Sequence, residues 1–417
     1  MTEPGSQRVA VLNCGQLVTL AGPARPRIRD EMRQLAIIPD GVMLISNGRI
    51  ERVGTRAEIS SHATNGYDIL DAGGRVVMPG FVDAHTHPVF AGTRTPEYEL
   101  RAMGATYEQI AQAGGGIRST VRKTRAATEQ ELFGTAQRYR QWFLRSGTTT
   151  VEGKSGYGLT QEDELKMLRV IRRLDYVPTF LGAHEIPDEY RDDPSGYVDL
   201  IVDGMLPAIQ ELRLAEYCDA FCEPHIFNIE MARRIFRCAR QLGFKLRIHA
   251  DQLSRSGAAE LAAEVGAATA DHLEHTDERG IRALAAANVQ PVLLPGAVYN
   301  LGLSRFAPGR DMIDAGLAVV LATDFNPGSS PTPSIPFVMS VACTHMRMSP
   351  AETVTATTIN AAYSVGLGSE IGSLEPGKRA DFVIHDCQEY REIPYFVAVE
   401  TPVSVFRHGK LVYTRQP

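Results

Sequence analysis

The sequence predicts an α/β fold in which a (β/α)8 TIM-like barrel carries a small β domain built from both chain termini. Two observations predict it. Short β-branched runs alternate eight times with helical stretches along the middle of the chain, and both chain ends instead alternate apolar and polar residues. Repeated strand–helix alternation is typical of a parallel barrel. The length of 417 residues suits one large barrel with an appendage, or two to three domains of about 150 residues each.

Eight predicted barrel strands share a core rich in Val, Ile, Leu and Thr that ends at a polar residue. They centre on Phe81-Val82, Thr149-Val151, Phe180-Leu181, Ala220-Cys222, Arg247-Ile248, Thr269-Ala270, Val292-Leu293 and Val320-Leu321. The interval between the first two is too long for one crossover, so we expect an insertion there. Thr128-Glu-Gln-Glu131 and Ser349-Pro-Ala-Glu352 are capping boxes that predict helix starts.

The chain ends predict hairpins. Residues 9–20 and 43–54 alternate apolar and polar, and Asn47-Gly48 is a hairpin turn signal. Residues 380–384 and 403–413 repeat the pattern, with a turn near His408-Gly409. Since neither end alone offers enough strands for a stable sheet, we expect one shared β domain. The predicted boundaries are 1–75 and 368–417 for this domain and 76–367 for the catalytic barrel.

Composition and charge exclude several classes of protein. Hydrophobic residues make up 44% and charged residues 22% of the chain, which excludes a disordered chain or a coiled coil as a whole. The net charge of −6 is spread without a basic block, which argues against nucleic acid or an anionic membrane as the main partner. No apolar run approaches the length of a membrane helix, which is about 20 residues. The start of the chain lacks a signal-peptide layout. Six cysteines in a chain of this length are too few for a disulfide framework. We therefore expect a cytoplasmic protein.

Polar residues that can carry chemistry fall at the ends of the predicted strands. They are His85 and His87 on the first strand and then Glu152, His184, Glu223, His225, His249, His272 and Asp324 on later strands. In a barrel these positions converge on the C-terminal face, where enzymes of this fold keep their sites. His85 and His87 lie two residues apart, so both project to one side and can share one ion. With His249 and Asp324 they offer three imidazoles and one carboxylate, a set that suits zinc or iron.

Longer strings resemble known proteins. Val77-Met-Pro-Gly-Phe-Val-Asp-Ala-His-Thr-His-Pro88, the later His249 with Thr323-Asp324, and Gly372-Ser-Leu-Glu-Pro-Gly-Lys-Arg-Ala-Asp-Phe-Val383 resemble the metal-dependent amidohydrolase superfamily. More specific strings resemble one family within it, the imidazolonepropionases. These strings are Phe90-Ala-Gly-Thr-Arg94, Ala113-Gly-Gly-Gly-Ile-Arg-Ser-Thr-Val121, Glu152-Gly-Lys-Ser-Gly-Tyr-Gly158, His249-Ala-Asp-Gln252 and Thr323-Asp-Phe-Asn-Pro-Gly-Ser329. The likeness covers nearly the whole chain.

The resemblance implies a fold, an activity and a metal site. The implied fold is the barrel with a β-sandwich domain built from both termini. The implied activity is hydrolysis of the cyclic amide of 4-imidazolone-5-propanoate to N-formimidoyl-L-glutamate in histidine degradation, by a metal-activated water that attacks the ring carbonyl. His85, His87, His249 and Asp324 match the family's ligands for one zinc or iron ion. A homodimer is a further implication of the family.

The resemblance also implies substrate contacts. Arg94 matches an arginine that would bind the propionate, Tyr157 matches a substrate tyrosine, and His184 matches a ring contact that could stabilise an oxyanion. The loop of Asn326, Gly328 and Ser329 matches a product-contacting loop, although the same residues are ordinary turn chemistry.

Position 252 departs from some members of the family, which have glutamate there. The amide of Gln252 cannot accept a proton as a carboxylate does. We therefore expect Gln252 to bind the ring. Proton transfer then falls to His272, which the resemblance places beside the metal-bound water, and to Asp324.

Other hypotheses stay open beside this one. An aminohydrolase acting on a purine or triazine would share the metal set but would not need Arg94 and Tyr157. A barrel that has lost catalysis would be an assembly protein, which the intact ligand set argues against. Lys154 could be a carbamylated bridge between two metals, but it follows the second strand, where that bridge is not expected, so we predict one metal.

Overall fold

The computed structural model describes residues 8–104 and 115–416, so Ala113 and Gly114 of the glycine-rich string lie outside it. Its strands in chain order are β1 (Arg8–Val18), β2 (Ile37–Ser46), β3 (Arg49–Thr55), β4 (Asp68–Asp71), β5 (Val76–Pro79), β6 (Phe81–Asp83), β7 (Thr148–Lys154), β8 (Val177–Ala183), β9 (Tyr217–Cys222), β10 (Lys245–Ala250), β11 (Thr269–His272), β12 (Gln290–Leu293), β13 (Val320–Leu321), β14 (Phe382–His385), β15 (Pro402–Arg407) and β16 (Lys410–Thr414). All eight predicted barrel strands are confirmed, as β6 to β13.

Helices connect most of the barrel strands. The α-helices of the described residues are α1 (Thr95–Ala102), α2 (Ile117–Ala126), α3 (Glu129–Arg145), α4 (Gln161–Arg173), α5 (Pro194–Asp199), α6 (Leu206–Glu211), α7 (Ile229–Gln241), α8 (Ala258–Glu264), α9 (Glu278–Ala287), α10 (Pro295–Asn300), α11 (Gly309–Asp314), α12 (Ile335–His345), α13 (Pro350–Thr357), α14 (Ile359–Ser364) and α15 (Glu392–Tyr395). A π-helical turn, Leu200–Met205, joins α5 to α6. Short 3-10 helices lie at Arg29–Arg33, Ser61–Thr64 and Asp188–Tyr190. The predicted insertion between β6 and β7 holds α1 and α2.

The eight barrel strands pair in parallel in sequence order, from β6 to β13. The two outer strands meet just beyond their ends, where Asp324 N donates to His85 O (3.0 Å) and His87 N donates to Phe325 O (2.8 Å). The buried carboxylate of Asp83 adds two bonds, from Thr323 N (3.0 Å) and from Thr323 Oγ1 (2.6 Å). The barrel is therefore nearly closed, and the joint lies at residues that the sequence predicts to bind metal.

Both chain ends form one mixed sheet, in the order β16-β15-β14-β5-β1-β2-β3 with β4 beside β1. The C-terminal strand β14 pairs antiparallel with the N-terminal strand β5, with Ile384 opposite Val77. The register of β1 against β2 shifts between Val11 and Cys14, which bends β1 around an apolar core. The prediction that both termini share one β domain is confirmed, while its exact boundaries stay a prediction.

The local signals for turns and helix starts are also confirmed. Asn47 and Gly48 have φ of 52° and 76° between β2 and β3, and His408 and Gly409 have φ of 51° and 70° between β15 and β16. Two successive positive φ values are what a two-residue hairpin turn of type I′ requires. Thr128 and Ser349 cap α3 and α13 with their hydroxyls, as the capping boxes predicted.

A second apolar core attaches the terminal sheet to the barrel. Val18 and Met78 from the sheet pack with Phe81 at the start of β6 and with Ile335 and Val354 on α12 and α13, and all five side chains are buried. The β domain is therefore fixed to the barrel by apolar contact. None of the helices in the described ranges is long and apolar enough to cross a membrane.

Candidate metal centre and substrate pocket

Four imidazoles lie together at the C-terminal ends of the barrel strands. The ring centroids of His85 and His249 are 4.5 Å apart, those of His85 and His87 are 5.3 Å apart, and those of His249 and His272 are 5.2 Å apart. Oδ1 of Asp324 lies 3.4 Å from Nε2 of His87 and 3.6 Å from Nε2 of His85. All five side chains are buried. The structure thus brings the four predicted ligands and His272 into one cluster.

Two of these residues have a strained backbone. His272, the last residue of β11, has a φ of 78°, and Asp324, three residues beyond β13, has a φ of 54°. The left-handed region costs a residue with a side chain about 1–2 kcal/mol, and strain of this kind concentrates at functional sites. The bond from Asp324 N to His85 O holds one of these positions against that cost.

Two buried carboxylates orient two of the imidazoles. Nδ1 of His85 donates to Oδ2 of Asp271 (2.6 Å), and Nδ1 of His249 donates to Oδ1 of Asp219 (3.1 Å). A carboxylate on Nδ1 leaves the lone pair of a neutral ring on Nε2. Within the part of the chain that the structure describes, neither Nε2 atom has a hydrogen-bond partner, although both are buried. Buried acceptors without partners are costly, so these two atoms fit a metal ion.

The charges of the cluster also fit a cation. Burial lowers the pKa of His249 and holds the pKa of His85 well below its usual range, so both rings are neutral, as ligands must be. Burial alone would raise the pKa of Asp324, but hydrogen bonding to His87 and the charge that His272 carries when protonated outweigh burial and lower that pKa. Neutral imidazoles around an ionised carboxylate are a donor set for zinc or iron.

The candidate ligand atoms form two overlapping groups. His85, His249 and His272 form one, and His85, His87 and Asp324 form the other, each with its ligand atoms within 4.8 Å of one another. Because His85 belongs to both groups, they make one centre rather than two separate sites. Together the two groups contain the four predicted ligands and His272, and the ligand set itself stays a prediction.

A charged side chain lies next to the loop that follows Asp324, the candidate carboxylate ligand. Arg94 precedes α1, is largely buried, and donates from Nε (2.8 Å) and Nη2 (2.6 Å) to Oε2 of Glu97. A Cβ added at Gly328 would overlap the guanidinium of Arg94, so the guanidinium lies directly against this loop. The predicted substrate arginine and the predicted product loop are therefore in contact.

The loop itself is the turn that its sequence predicts. Oδ1 of Asn326 accepts from the backbone N of Gly328 (2.8 Å) and of Ser329 (2.8 Å). Oγ of Ser329 donates to Oδ2 of Asp324 (3.2 Å), the oxygen that does not face the imidazoles. The turn thus connects the candidate metal ligand to the Arg94 side of the site.

Tyr157 and His184 lie on another side of the cluster. The ring of Tyr157 is 5.3 Å from His184 and 6.0 Å from His87, and His184 stacks on His87 at 5.1 Å. The buried carboxylate of Glu164 holds the Gly-Tyr-Gly loop by accepting from the backbone N of Gly156, Gly158 and Leu159. Burial raises the pKa of Tyr157, so its hydroxyl stays protonated and can donate.

The hydrogen bond of His184 bears on its role. Nδ1 lies 2.9 Å from the carbonyl oxygen of Gly156, to which it must donate. Burial holds the pKa of His184 well below its usual range, so the ring is neutral and Nε2 is an acceptor. To stabilise an oxyanion, Nε2 of His184 would have to carry a proton as well as Nδ1, and the ring would then be charged. The predicted oxyanion role therefore stays a prediction.

The other residues singled out in the sequence lie in the loops after the strands or within a strand. Gln252 is half-buried in the loop after β10, and His225 is exposed. Glu223 binds the neighbouring loop by accepting from Leu253 N (2.8 Å) and Ser254 Oγ (2.6 Å). Glu152 lies inside β7 and not after it, because β7 continues to Lys154.

Sequence reasoning missed Asp219, Asp271 and Glu274. The first two lie inside β9 and β11, and Oε1 of Glu274 lies 3.4 Å from Nδ1 of His272. A charged residue within an otherwise apolar strand is a usable signal, since carboxylates are almost never fully buried without a partner. The partner itself lies on another strand and is not visible in the local sequence.

Comparisons with known proteins show the family to which this chain belongs. The model of the amidohydrolase family matches residues 76–412. Imidazolonepropionase of Solibacter usitatus is 62% identical over 412 residues, covering 97% of this chain and 99% of that protein. Imidazolonepropionase of Geobacillus kaustophilus is 46% identical over 407 residues, covering 95% and 96%. The solved structure of an adenosine deaminase from Xanthomonas campestris with bound zinc has a TM-score of 0.69 at 19% identity, covering 97% and 92%, which shows the shared fold.

The fold, the imidazole–carboxylate cluster and the family match define the class, and the chain belongs to the amidohydrolase family. Within that family the chain belongs among the imidazolonepropionases, because it is 46–62% identical to two proteins of that name over nearly its full length.

Proposed function

We propose that this chain opens the ring of 4-imidazolone-5-propanoate by hydrolysing its cyclic amide to N-formimidoyl-L-glutamate, with His85, His87, His249 and Asp324 as the ligands of one zinc or iron ion. The single observation that carries the proposal is the position of Arg94. The guanidinium contacts the loop that follows Asp324, so a substrate whose carbonyl lies at the metal would have a cation within this site for its carboxylate. The amidohydrolase class makes the chain a hydrolase of carbon–nitrogen bonds.

The residues divide the work between binding and chemistry. When bound, the metal ion lowers the pKa of water and polarises the amide carbonyl. Arg94 binds the propionate with charge-assisted hydrogen bonds. The hydroxyl of Tyr157 donates to the substrate, Nε2 of neutral His184 accepts from a ring N–H, and Gln252 contacts the ring. The loop of Asn326, Gly328 and Ser329 contacts the product.

Proton transfer belongs to His272 together with Asp324. Burial alone would lower the pKa of His272, but the carboxylate of Glu274, hydrogen-bonded to Nδ1, outweighs burial and raises that pKa. A base with a pKa near the working pH transfers protons best. His272 can therefore take a proton from the attacking water and pass one to the leaving ring nitrogen.

His272→Ala is expected to lower kcat by about 10²–10⁴-fold, the usual contribution of a positioned acid–base group, while the purified variant keeps its metal. Steady-state kinetics with metal analysis measure this. His345→Ala, at the exposed end of α12, is the matched control and should keep wild-type kcat. In Glu274→Gln the limb of the kcat–pH profile that reports His272 should move to lower pH, because the carboxylate that raises its pKa is gone. An unchanged kcat in His272→Ala would leave proton transfer to Asp324 alone.

Turnover of 4-imidazolone-5-propanoate tests the proposed function directly. The purified, metal-loaded chain should consume the imidazolone chromophore in an ultraviolet assay and leave guanine unchanged. Turnover of guanine without turnover of the imidazolone would instead favour an aminohydrolase. Metal analysis of the chain as purified, before any metal is added, decides between zinc and iron. A chain that holds no stoichiometric metal and turns over neither compound would favour a non-catalytic barrel.

Assembly and location are part of the same proposal. We propose a homodimer, supported by the neighbouring exposed apolar side chains Tyr395, Phe396, Val397 and Val399, which monomers seldom leave uncovered together. Sedimentation of the purified chain measures its mass, and twice the mass of one chain is the expected result.

A cytoplasmic location is supported by six free cysteines, four of them buried.

A further inference from the structure

A buried lysine lies below the imidazole cluster, outside the roles assigned so far. Lys154 is the last residue of β7, and its side chain is fully buried. Its ammonium group forms ion pairs with Oδ2 of Asp219 (2.8 Å), Oε1 of Glu152 (3.0 Å) and Oδ2 of Asp271 (3.7 Å). These three carboxylates come from three different barrel strands.

Two of the carboxylates also hold metal-site imidazoles. Asp219 binds Lys154 through Oδ2 and His249 through Oδ1, so both of its oxygens are fixed. Oδ2 of Asp271 accepts from His85 at 2.6 Å and faces Lys154 from the other side. A shift of the ammonium group would therefore be transmitted to both rings.

The third carboxylate and the lysine backbone hold the segment between His85 and His87. Oε2 of Glu152 accepts from Thr86 N (3.3 Å), Thr86 Oγ1 donates to Glu152 O (2.6 Å), and Lys154 N donates to Thr86 O (2.9 Å). All three imidazole ligands are thus connected to Lys154 by at most one intervening side chain or peptide group.

The charges explain why a cation occupies this position. Burial opposes an ammonium group here, but the carboxylates of Asp219 and Glu152 outweigh burial and raise the pKa of Lys154. Arg247 adds a second buried cation, 3.6 Å from Oδ2 of Asp271, and donates to Ala84 O (2.7 Å). Three carboxylates beside one arginine would leave uncompensated buried charge if Lys154 were absent.

We infer that Lys154 is a positioning residue for the metal site, which fixes Asp219, Asp271 and Glu152 so that His249, His85 and His87 present Nε2 to one cation. This inference rests on the proposed metal site. It differs from a purely structural role because it predicts that metal affinity and ligand geometry depend on the ammonium group in a folded protein.

The test compares Lys154→Met with the wild type by Zn²⁺ competition against a chelator. We expect Zn²⁺ affinity to fall about 10–100-fold, the usual effect of losing an outer partner of metal ligands. The visible spectrum of the Co²⁺-loaded variant should change, because the imidazoles are no longer held. KM should stay within about twofold of the wild-type value, since the lysine does not face the substrate. Lys166→Met is the matched control, because Lys166 binds three backbone carbonyls at the C-terminal end of α2 and should not alter Zn²⁺ affinity.

A double-variant cycle separates positioning from charge balance. Lys154→Met with Asp219→Asn removes a cation and an anion together, so this pair should fold even if Lys154→Met does not. We expect it to bind Zn²⁺ more weakly than Asp219→Asn, because Asp271 and Glu152 are also released. Where both single variants fold, the fold-loss of Zn²⁺ affinity in the double variant should be smaller than the product of the fold-losses in the two single variants.

Three results would overturn the inference: a folded Lys154→Met with wild-type Zn²⁺ affinity, a double variant equal to Asp219→Asn, or fully multiplicative losses. Failure of the wild type itself to bind Zn²⁺ or Fe²⁺ would instead contradict the proposed metal site.

Discussion

Asp324→Asn is expected to lower kcat/KM by at least about 10³-fold, or about 4 kcal/mol of transition-state stabilisation, and to yield protein with less than stoichiometric metal. Asp324 supplies the one carboxylate of the cluster, and its Oδ1 lies 3.4 Å from Nε2 of His87. Asparagine keeps the shape and can still accept from Ser329, so the fold should survive. The loss therefore reports the negative charge, which the cation and proton transfer both require.

Kinetics and metal analysis on the same preparation measure this effect. Asp314→Asn, an exposed aspartate that ends α11 and pairs with Arg310, is the matched control and should keep both metal and activity. The ligand assignment fails if Asp324→Asn retains full metal and a wild-type rate.

Arg94→Ala is expected to raise KM for 4-imidazolone-5-propanoate by about 10–150-fold, corresponding to the about 1.5–3 kcal/mol of hydrogen bonds to a charged group, with metal content unchanged. The reason is that the propionate loses its cation while the cluster of His85, His87, His249 and Asp324 keeps all of its contacts. Initial-rate kinetics over a range of substrate concentration separate KM from kcat.

The control for Arg94 comes from the substrate as well as from the chain. An imidazolone without the propionate should be handled equally by the wild type and by Arg94→Ala, since neither can form the missing contact. Arg94→Ala also removes the cation that pairs with Glu97, so the double variant Arg94→Ala with Glu97→Gln, which removes that negative charge too, should reproduce the same KM. A normal KM in both variants would remove Arg94 from the substrate site.

Local signals made the fold predictable. The capping boxes at Thr128 and Ser349 and the turn at Asn47-Gly48 act within a few residues, and each has the predicted geometry. Convergence of the strand-end histidines was predictable as well, because barrel topology brings the C-terminal ends of all strands together. Neither inference needed knowledge of individual contacts.

Contacts between strands were not predictable. That Asp219 binds His249 depends on the neighbouring positions of β9 and β10, and that Asp271 binds His85 depends on the order of strands across the barrel. The hydrogen-bonding state of His184 follows from a loop carbonyl at Gly156, which only the folded chain supplies. The sequence therefore predicts which residues meet but not how each ring is oriented.

The pairing of β5 with β14 has a consequence for biosynthesis. These strands are about 300 residues apart in the chain, so at roughly 5–20 residues per second the ribosome needs roughly 15–60 s to supply the partner of β5. During that interval Val76–Pro79 exposes an unpaired edge of apolar residues, which is a site for wrong association. Until β14 emerges, this edge therefore has to stay free of wrong partners for the terminal sheet to assemble.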